Sequence, residues 1–212
     1  AKTVLTVIQE RGKQKKPIER VYKLLFNREL YLNAYAKLYP NNGAMTKGVT
    51  DETVDGMSIQ KIDRMIEILR EEKYQWKPAR REYIKKKNGK KRPLGIPVWG
   101  DKVLQEVMRQ ILEAYYEPQF SEHSHGFRPN RGCHTALQEI QVWKGTRWFI
   151  EGDISQYFDT IDHKILLEIL ARNIHDGRFI RLVSNMLEAG YLEEWKFNQT
   201  ISGVPQGGVI SP

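Results

Sequence analysis

The stretch FIEGDISQYFDTIDH at 149–163 sets a carboxylate and an aromatic at a spacing that lets both face one pocket. Trp148, Phe149 and Ile150 lead through Glu151-Gly152 to Asp153, the pattern of a buried strand that delivers an acid to the mouth of a cleft. From Asp153 to Phe158 the chain completes about one helical turn, so the ring can return over the space in front of the carboxylate. One acid could then hold a metal while one aromatic walls the same site. Each residue has a plainer reading. Asp153 could be a hydrogen-bonded acid at a strand end, Phe158 a core aromatic, and Asp159 and Asp162 local caps.

The 212 residues are long enough for a sizeable core, in one large or two modest domains, and the 40% hydrophobic share is that of a globular protein. Neither a membrane-length apolar run nor a signal-peptide core is present, so no membrane association is expected. Cys133 is the single cysteine, which fits a reducing, intracellular setting. Net charge is +8, and it is concentrated. Between Lys77 and Arg92 lie nine bases and one acid; the rest of the chain balances at 25 of each. Such a block is the electrostatic footprint of a phosphate-binding surface.

The elements that position these residues follow from periodicity. Residues 1–16 read as a loose basic arm. Pro17 opens a helix carrying Ile18, Val21, Tyr22, Leu25 and Phe26 and running to Leu38. Residues 41–57 form a shaped loop. Ser58 caps a helix with the stripe Ile59, Ile62, Met65, Ile66 and Leu69. Tyr83–Ile96 reads as a basic β-hairpin turning at Asn88-Gly89, a device for gripping phosphates. A helix over 101–116 follows, then an irregular stretch to Cys133 and a helix over 134–143. His123, His125, Cys133 and His134 match no usual zinc spacing. Beyond the central strand, Asp162 caps a helix with Ile165, Leu166, Ile169 and Leu170, and another helix spans 177–187. Residues 191–197 and 199–202 are expected as paired strands.

Five segments in register carry a resemblance: LYPNNGAMTKGVTDETVDGMS at 38–58, KKKNGKKRPLGIPVWGDKVLQEVMRQILEAYYEPQF at 85–120, SHGFRPNRGCHTAL at 124–137, EGDISQYFDTIDH at 151–163 and SGVPQGGVISP at 202–212. Together they closely resemble the N-terminal part of bacterial group II intron reverse transcriptases, the maturase class of intron-encoded proteins. The resemblance implies an α+β fold: right-hand polymerase fingers with a partial palm, mostly helical, with a basic β-hairpin and a short antiparallel palm sheet. It divides the chain into a flexible arm (1–16), fingers (17–143) and partial palm (144–212). It implies RNA-directed DNA synthesis in a bacterial cytoplasm, with Mg²⁺ as cofactor and group II intron RNA, an RNA template, a DNA primer and dNTPs as partners.

Residue by residue, Asp153 matches the family's first catalytic, metal-binding aspartate, with the Ile154 carbonyl as a second ligand. Phe158 matches the aromatic that excludes a nucleotide 2′-hydroxyl. Lys86 and Arg92 match contacts to the incoming nucleotide, and Gln206 matches the glutamine lining its pocket. Lys85 stands where the family commonly has proline. The loop around Thr46–Gly48 resembles an insertion near the template, and Arg80, Arg81, Lys85, Lys87, Lys90, Lys91, Thr46 and Arg128 are the expected RNA contacts.

Two-metal phosphoryl transfer needs more than one carboxylate, and the family's aromatic-x-Asp-Asp motif does not occur here. The expectation is therefore a fragment that cannot extend a primer alone, and whose surviving activity is RNA binding. Apolar surface left for further segments would favour self-association, a homodimer included. A related bacterial reverse transcriptase with another role is a third reading, which the 38–58 segment disfavours.

Overall fold

The computed structural model describes residues 1–85, 89, 91–194, 196–200, 202–203 and 208–210. It is mixed α/β, about half helical, with small sheets.

Residues 1–16 are not a loose arm: helix α1 (Lys2–Lys13) lies on the core. Val4, Leu5 and Ile8 supply its apolar side, and Gly12 brings its backbone against Tyr115. Pro17 opens no helix either. Ile18–Glu19 forms strand β1, Val21–Phe26 a 3₁₀ segment, and helix α2 begins only at Arg28 and runs to Leu38. The break comes from Asn27, whose side-chain oxygen accepts from the Glu29 N–H at 3.0 Å and so starts a helix of its own. Helix α3 (Ile59–Arg70) starts where expected, with Ser58 accepting from the Lys61 N–H. Ile62, Ile66 and Leu69 are buried, whereas Ile59 faces solvent.

The hairpin consists of β2 (Ala79–Lys85) and β3 (Lys91–Ile96), antiparallel, with Arg80 opposite Ile96 and Lys85 opposite Lys91. Gly89 takes φ 79°, a conformation that glycine supplies without steric cost. Helix α4 (Trp99–Tyr116) is the centre of the core: Val103, Leu104, Val107, Met108, Ile111 and Tyr115 are wholly buried. Helices α1 and α2 both pack on it. Helix α5 (Cys133–Gln141) follows the irregular stretch.

Residues 148–153 form no strand. Trp148, Phe149 and Ile150 are 87%, 71% and 95% exposed, and no described segment pairs with them. An apolar run becomes a strand only where a neighbour completes its ladder. Next come α6 (Tyr157–Thr160), α7 (His163–Ala171, capped by Asp162), β4 (Ile174–His175) and α8 (Gly177–Glu188). On α7 it is Leu166, Leu167 and Leu170 that pack inward, while Ile165 and Ile169 are exposed. β4 pairs in parallel with β1, and the Asp176 carboxylate that caps α8 also accepts from the Tyr22 N–H at 2.9 Å.

The strands near the end are β5 (Tyr191–Glu193) and β6 (Lys196–Asn198), so the turn falls inside the segment expected as one strand. They build no separate antiparallel sheet. β5 pairs in parallel with β2, giving a four-stranded mixed sheet in the order β3-β2-β5-β6.

Candidate functional site

Phe158 stands on α6, a single turn entered through Gln156 at φ 52°. Its ring lines a mainly apolar cavity of about 520 Å³. The other walls are Ala79 and Pro97 at the hairpin base, Asp101 and Gln105 on α4, Leu166 and Leu170 on α7, and Gly208 and Ile210. The hairpin, the 151–163 segment and the glycine-rich segment thus meet, though far apart in sequence. Gln105 holds the last of them, accepting from the Val209 N–H at 3.0 Å.

Asp101 is the one acid in that wall among the described residues. It is 2% exposed, and its carboxylate accepts from the Tyr74 hydroxyl at 2.6 Å and the Lys77 N–H at 3.0 Å. Burial pushes its carboxyl up to about 6 from the ordinary 3.8; the bonds from Tyr74 and Lys77 oppose that rise. The folded state therefore binds this proton more tightly than the unfolded one. The stability the group contributes is full below pH 3.8 and is lost as pH rises through 6. Over that window the change is about 3 kcal/mol. Urea midpoints at several pH values are expected to show this increment in the wild type and not in Asp101→Asn, so identical pH slopes would refute it.

Two cations clamp the loop at 43–48. The buried Lys102 ammonium donates to the carbonyls of Gly43 at 3.2 Å and Thr46 at 3.0 Å. Desolvation, and then the neighbouring Arg80 charge, lower the Lys102 pKa. Arg80 donates from Nε and Nη2 to the Lys47 carbonyl at 3.0 and 2.9 Å, and also pairs with Glu82. Gly48 completes the contact, since a Cβ there would lie 2.8 Å from the Val98 nitrogen.

The expected site residues are placed unevenly. Asp153 and Ile154 are exposed, on the stretch that forms no strand. Arg92 lies on β3 opposite Ile84, and Lys85 and Lys91 face each other, exposed, at the outer end of the hairpin. Lys86, Lys87, Lys90 and Gln206 lie outside the described residues. Arg80 and Thr46 belong to the loop clamp. Arg81 lays its guanidinium 3.4 Å from the centroid of the Tyr191 ring. Arg128 is turned inward: its side chain is 8% exposed, it forks onto Glu117, and it donates to the carbonyls of Ser121 and Ser124. Its guanidinium ties the two ends of the 117–128 stretch together. His123 and His125 share the Glu139 carboxylate, the latter at 2.8 Å, and His125 also bonds the Thr135 hydroxyl.

Sequence reasoning passed over Asp101, Lys102, Gln105 and Glu106. The signal was present: Asp101 with Gln105, and Lys102 with Glu106, are polar pairs four apart on a helix whose other positions are largely apolar. All four are buried, and the first three hold the cavity wall or the loops around it.

Residues 84–212 match the family model of the reverse transcriptase (RNA-dependent DNA polymerase). The group II intron-encoded protein LtrA of Lactococcus lactis subsp. cremoris is 50% identical over 195 residues, which cover 91% of this chain and 33% of that protein. The uncharacterized 91 kDa protein in cob intron of Schizosaccharomyces pombe is 46% identical over 220 residues, covering all of this chain and 27% of that protein. Protein YkfC of Escherichia coli is 39% identical, over 92% of this chain and 54% of its own. The chain spans about a third of the length of LtrA. With residues 84–212 matched to that model and LtrA half identical over nine-tenths of this chain, the chain belongs to the reverse transcriptase family, among the relatives of the group II intron-encoded proteins.

Proposed function

We propose that this chain contributes the fingers (17–143) and the beginning of the palm (144–212) of an RNA-directed DNA polymerase that also holds a group II intron RNA. The observation that carries this reading is the shared cavity, where Phe158, the hairpin base and Gly208–Ile210 meet. A flat aromatic in that wall is suited to pack against a deoxyribose and to leave no room for a 2′-hydroxyl. Lys86 and Arg92 are the proposed cations for the triphosphate, Arg92 with a planar fork. Gln206 is the proposed pocket glutamine.

The donor chemistry at Asp153 fits magnesium: an exposed carboxylate and the adjacent Ile154 carbonyl are hard oxygen ligands. When bound, the metal supplies charge neutralisation for a triphosphate. Asp153 and Ile154 would hold it, Arg92 would orient the phosphates, and Phe158 would set the sugar. Primer, RNA template and dNTPs are the proposed partners in catalysis. The exposed Trp148–Ile150 surface favours self-association. A bacterial cytoplasm suits the lone Cys133, and no helix among the described residues is long and apolar enough to cross a membrane.

For this chain alone, RNA binding is the activity that the exposed Lys85 and Lys91 favour. Affinity for a structured RNA is expected to fall steeply with salt, because each phosphate contact releases counterions. Replacing the lysines at 85–87 and 90–91 by serine is expected to flatten the log–log salt slope by at least about two, roughly one per lost contact. An unchanged slope would reject the hairpin as the contact surface.

A further inference from the structure

The helix that carries Phe158 is one turn long, and a four-residue helix cannot hold its own orientation in water. Something must fix it, and the candidate is a pair of residues that do not line the cavity. The His163 Nε2 is 2.6 Å from the Gly203 carbonyl oxygen. A carbonyl only accepts, so Nε2 carries the proton. The Gly203 N–H donates in turn to the Ile161 carbonyl at 2.8 Å. Gly203 sits at φ 81°, and a Cβ there would lie 2.7 Å from the Phe158 carbonyl and 2.9 Å from the Asp159 Cα. Its backbone is therefore pressed against the turn bearing the ring.

We infer that His163 is a positioning residue for Phe158: its imidazole strap on Gly203 clamps the turn that presents the ring to the cavity. The strap closes a short circuit. Asp162 caps α7 and so fixes where His163 begins that helix; His163 holds Gly203; Gly203 braces the backbone of Phe158 and Asp159. His163 is absent from the cavity lining, so it acts only through this chain of contacts. The inference rests on the proposed nucleotide pocket only for its consequence, which is the choice between deoxyribose and ribose. The strap itself stands on geometry.

Glutamine can place an amide N–H where Nε2 stands; asparagine reaches only to Nδ1, and leucine offers no donor. Amide hydrogen exchange of this chain, followed by mass spectrometry, should therefore separate the variants. Peptides covering 157–161 are expected to exchange about five- to tenfold faster in His163→Leu and His163→Asn, the factor for losing one hydrogen bond, with α8 unchanged. His163→Gln is expected to return the wild-type rate. A second measurement compares binding of magnesium–dATP with magnesium–ATP. The preference for the deoxynucleotide should shrink about fivefold in His163→Leu and recover in His163→Gln.

Unchanged exchange at 157–161, or equal acceleration in α8, would overturn the strap. Faster exchange with an intact sugar preference would overturn the positioning role. If Phe158→Ala leaves the sugar preference of the wild type untouched, the pocket reading fails and the selectivity half of this inference fails with it; the exchange result distinguishes that case from failure of the strap.

Discussion

Gly12→Ala is expected to cost about 3 kcal/mol of stability, a large effect for one methyl group. Gly12 lies where α1 crosses the end of α4, and a Cβ built there falls 2.1 Å from the Tyr115 carbonyl oxygen and 3.0 Å from its carbon. The obstacle is backbone, so no rotamer change relieves it. The helices must move apart, and the burial of Ile8 and the half-buried Val4 and Leu5 loosens with them. The same exchange at Gly43, where nothing lies within 4 Å of the added carbon, is the control and is expected to stay within about 0.5 kcal/mol of wild type. Urea denaturation of both variants checks the contrast. Equal midpoints for the two would show that α1 does not need this close approach.

Arg109→Met is expected to be the most damaging single change on α4, at about 3–5 kcal/mol. Glu106 is 1% exposed and receives the Arg109 guanidinium through both oxygens, at 2.8 and 2.9 Å. Its other partner is Lys37, at 3.3 Å. Removing the fork leaves a buried carboxylate with one ammonium that is itself half in solvent, and the desolvation cost stays in place. Arg109 also pairs with Glu113, but that acid is 30% exposed and can turn to water. The diagnostic is the double variant Glu106→Met/Arg109→Met, expected to recover most of the loss because no charge remains to be desolvated. A double variant as unstable as the single one would mean that side-chain shape, not charge, sets the cost.

The helices with long apolar stripes were legible. α3, α4 and α8 announce themselves by spacing and, for α3, by a serine cap that the structure uses. The hairpin was legible from its Asn-Gly turn, although lysines crowd its arms and blur their alternation. What escaped lay where local pattern and tertiary partner disagree. Residues 1–16 looked too polar to pack, yet Val4, Leu5 and Ile8 need only a thin stripe when Gly12 permits close approach. Trp148–Ile150 looked like a buried strand, because an apolar run carries no information about whether a neighbour exists to pair with it. The Phe158 pocket was legible only in part: the ring was marked, but Asp101 and Gln105 belong to a helix read as plain core, and their partners are up to 104 residues away. The inward turn of Arg128 was not legible either, because it depends on an acid eleven residues earlier, Glu117, that takes its guanidinium.

The order β3-β2-β5-β6 has a mechanical consequence. An isolated hairpin would swing as a free lever about its base. Here β2 is laced on both edges, to β3 along its length and to β5 at Ala79 and Arg80, and the Arg81 guanidinium is stacked on Tyr191 just beyond that seam. A pull on the outer end of the hairpin, at Lys85 and Lys91, is thus carried as shear into β5 and on to β6, and a change at Tyr191 is expected to alter the stiffness of the hairpin from outside it.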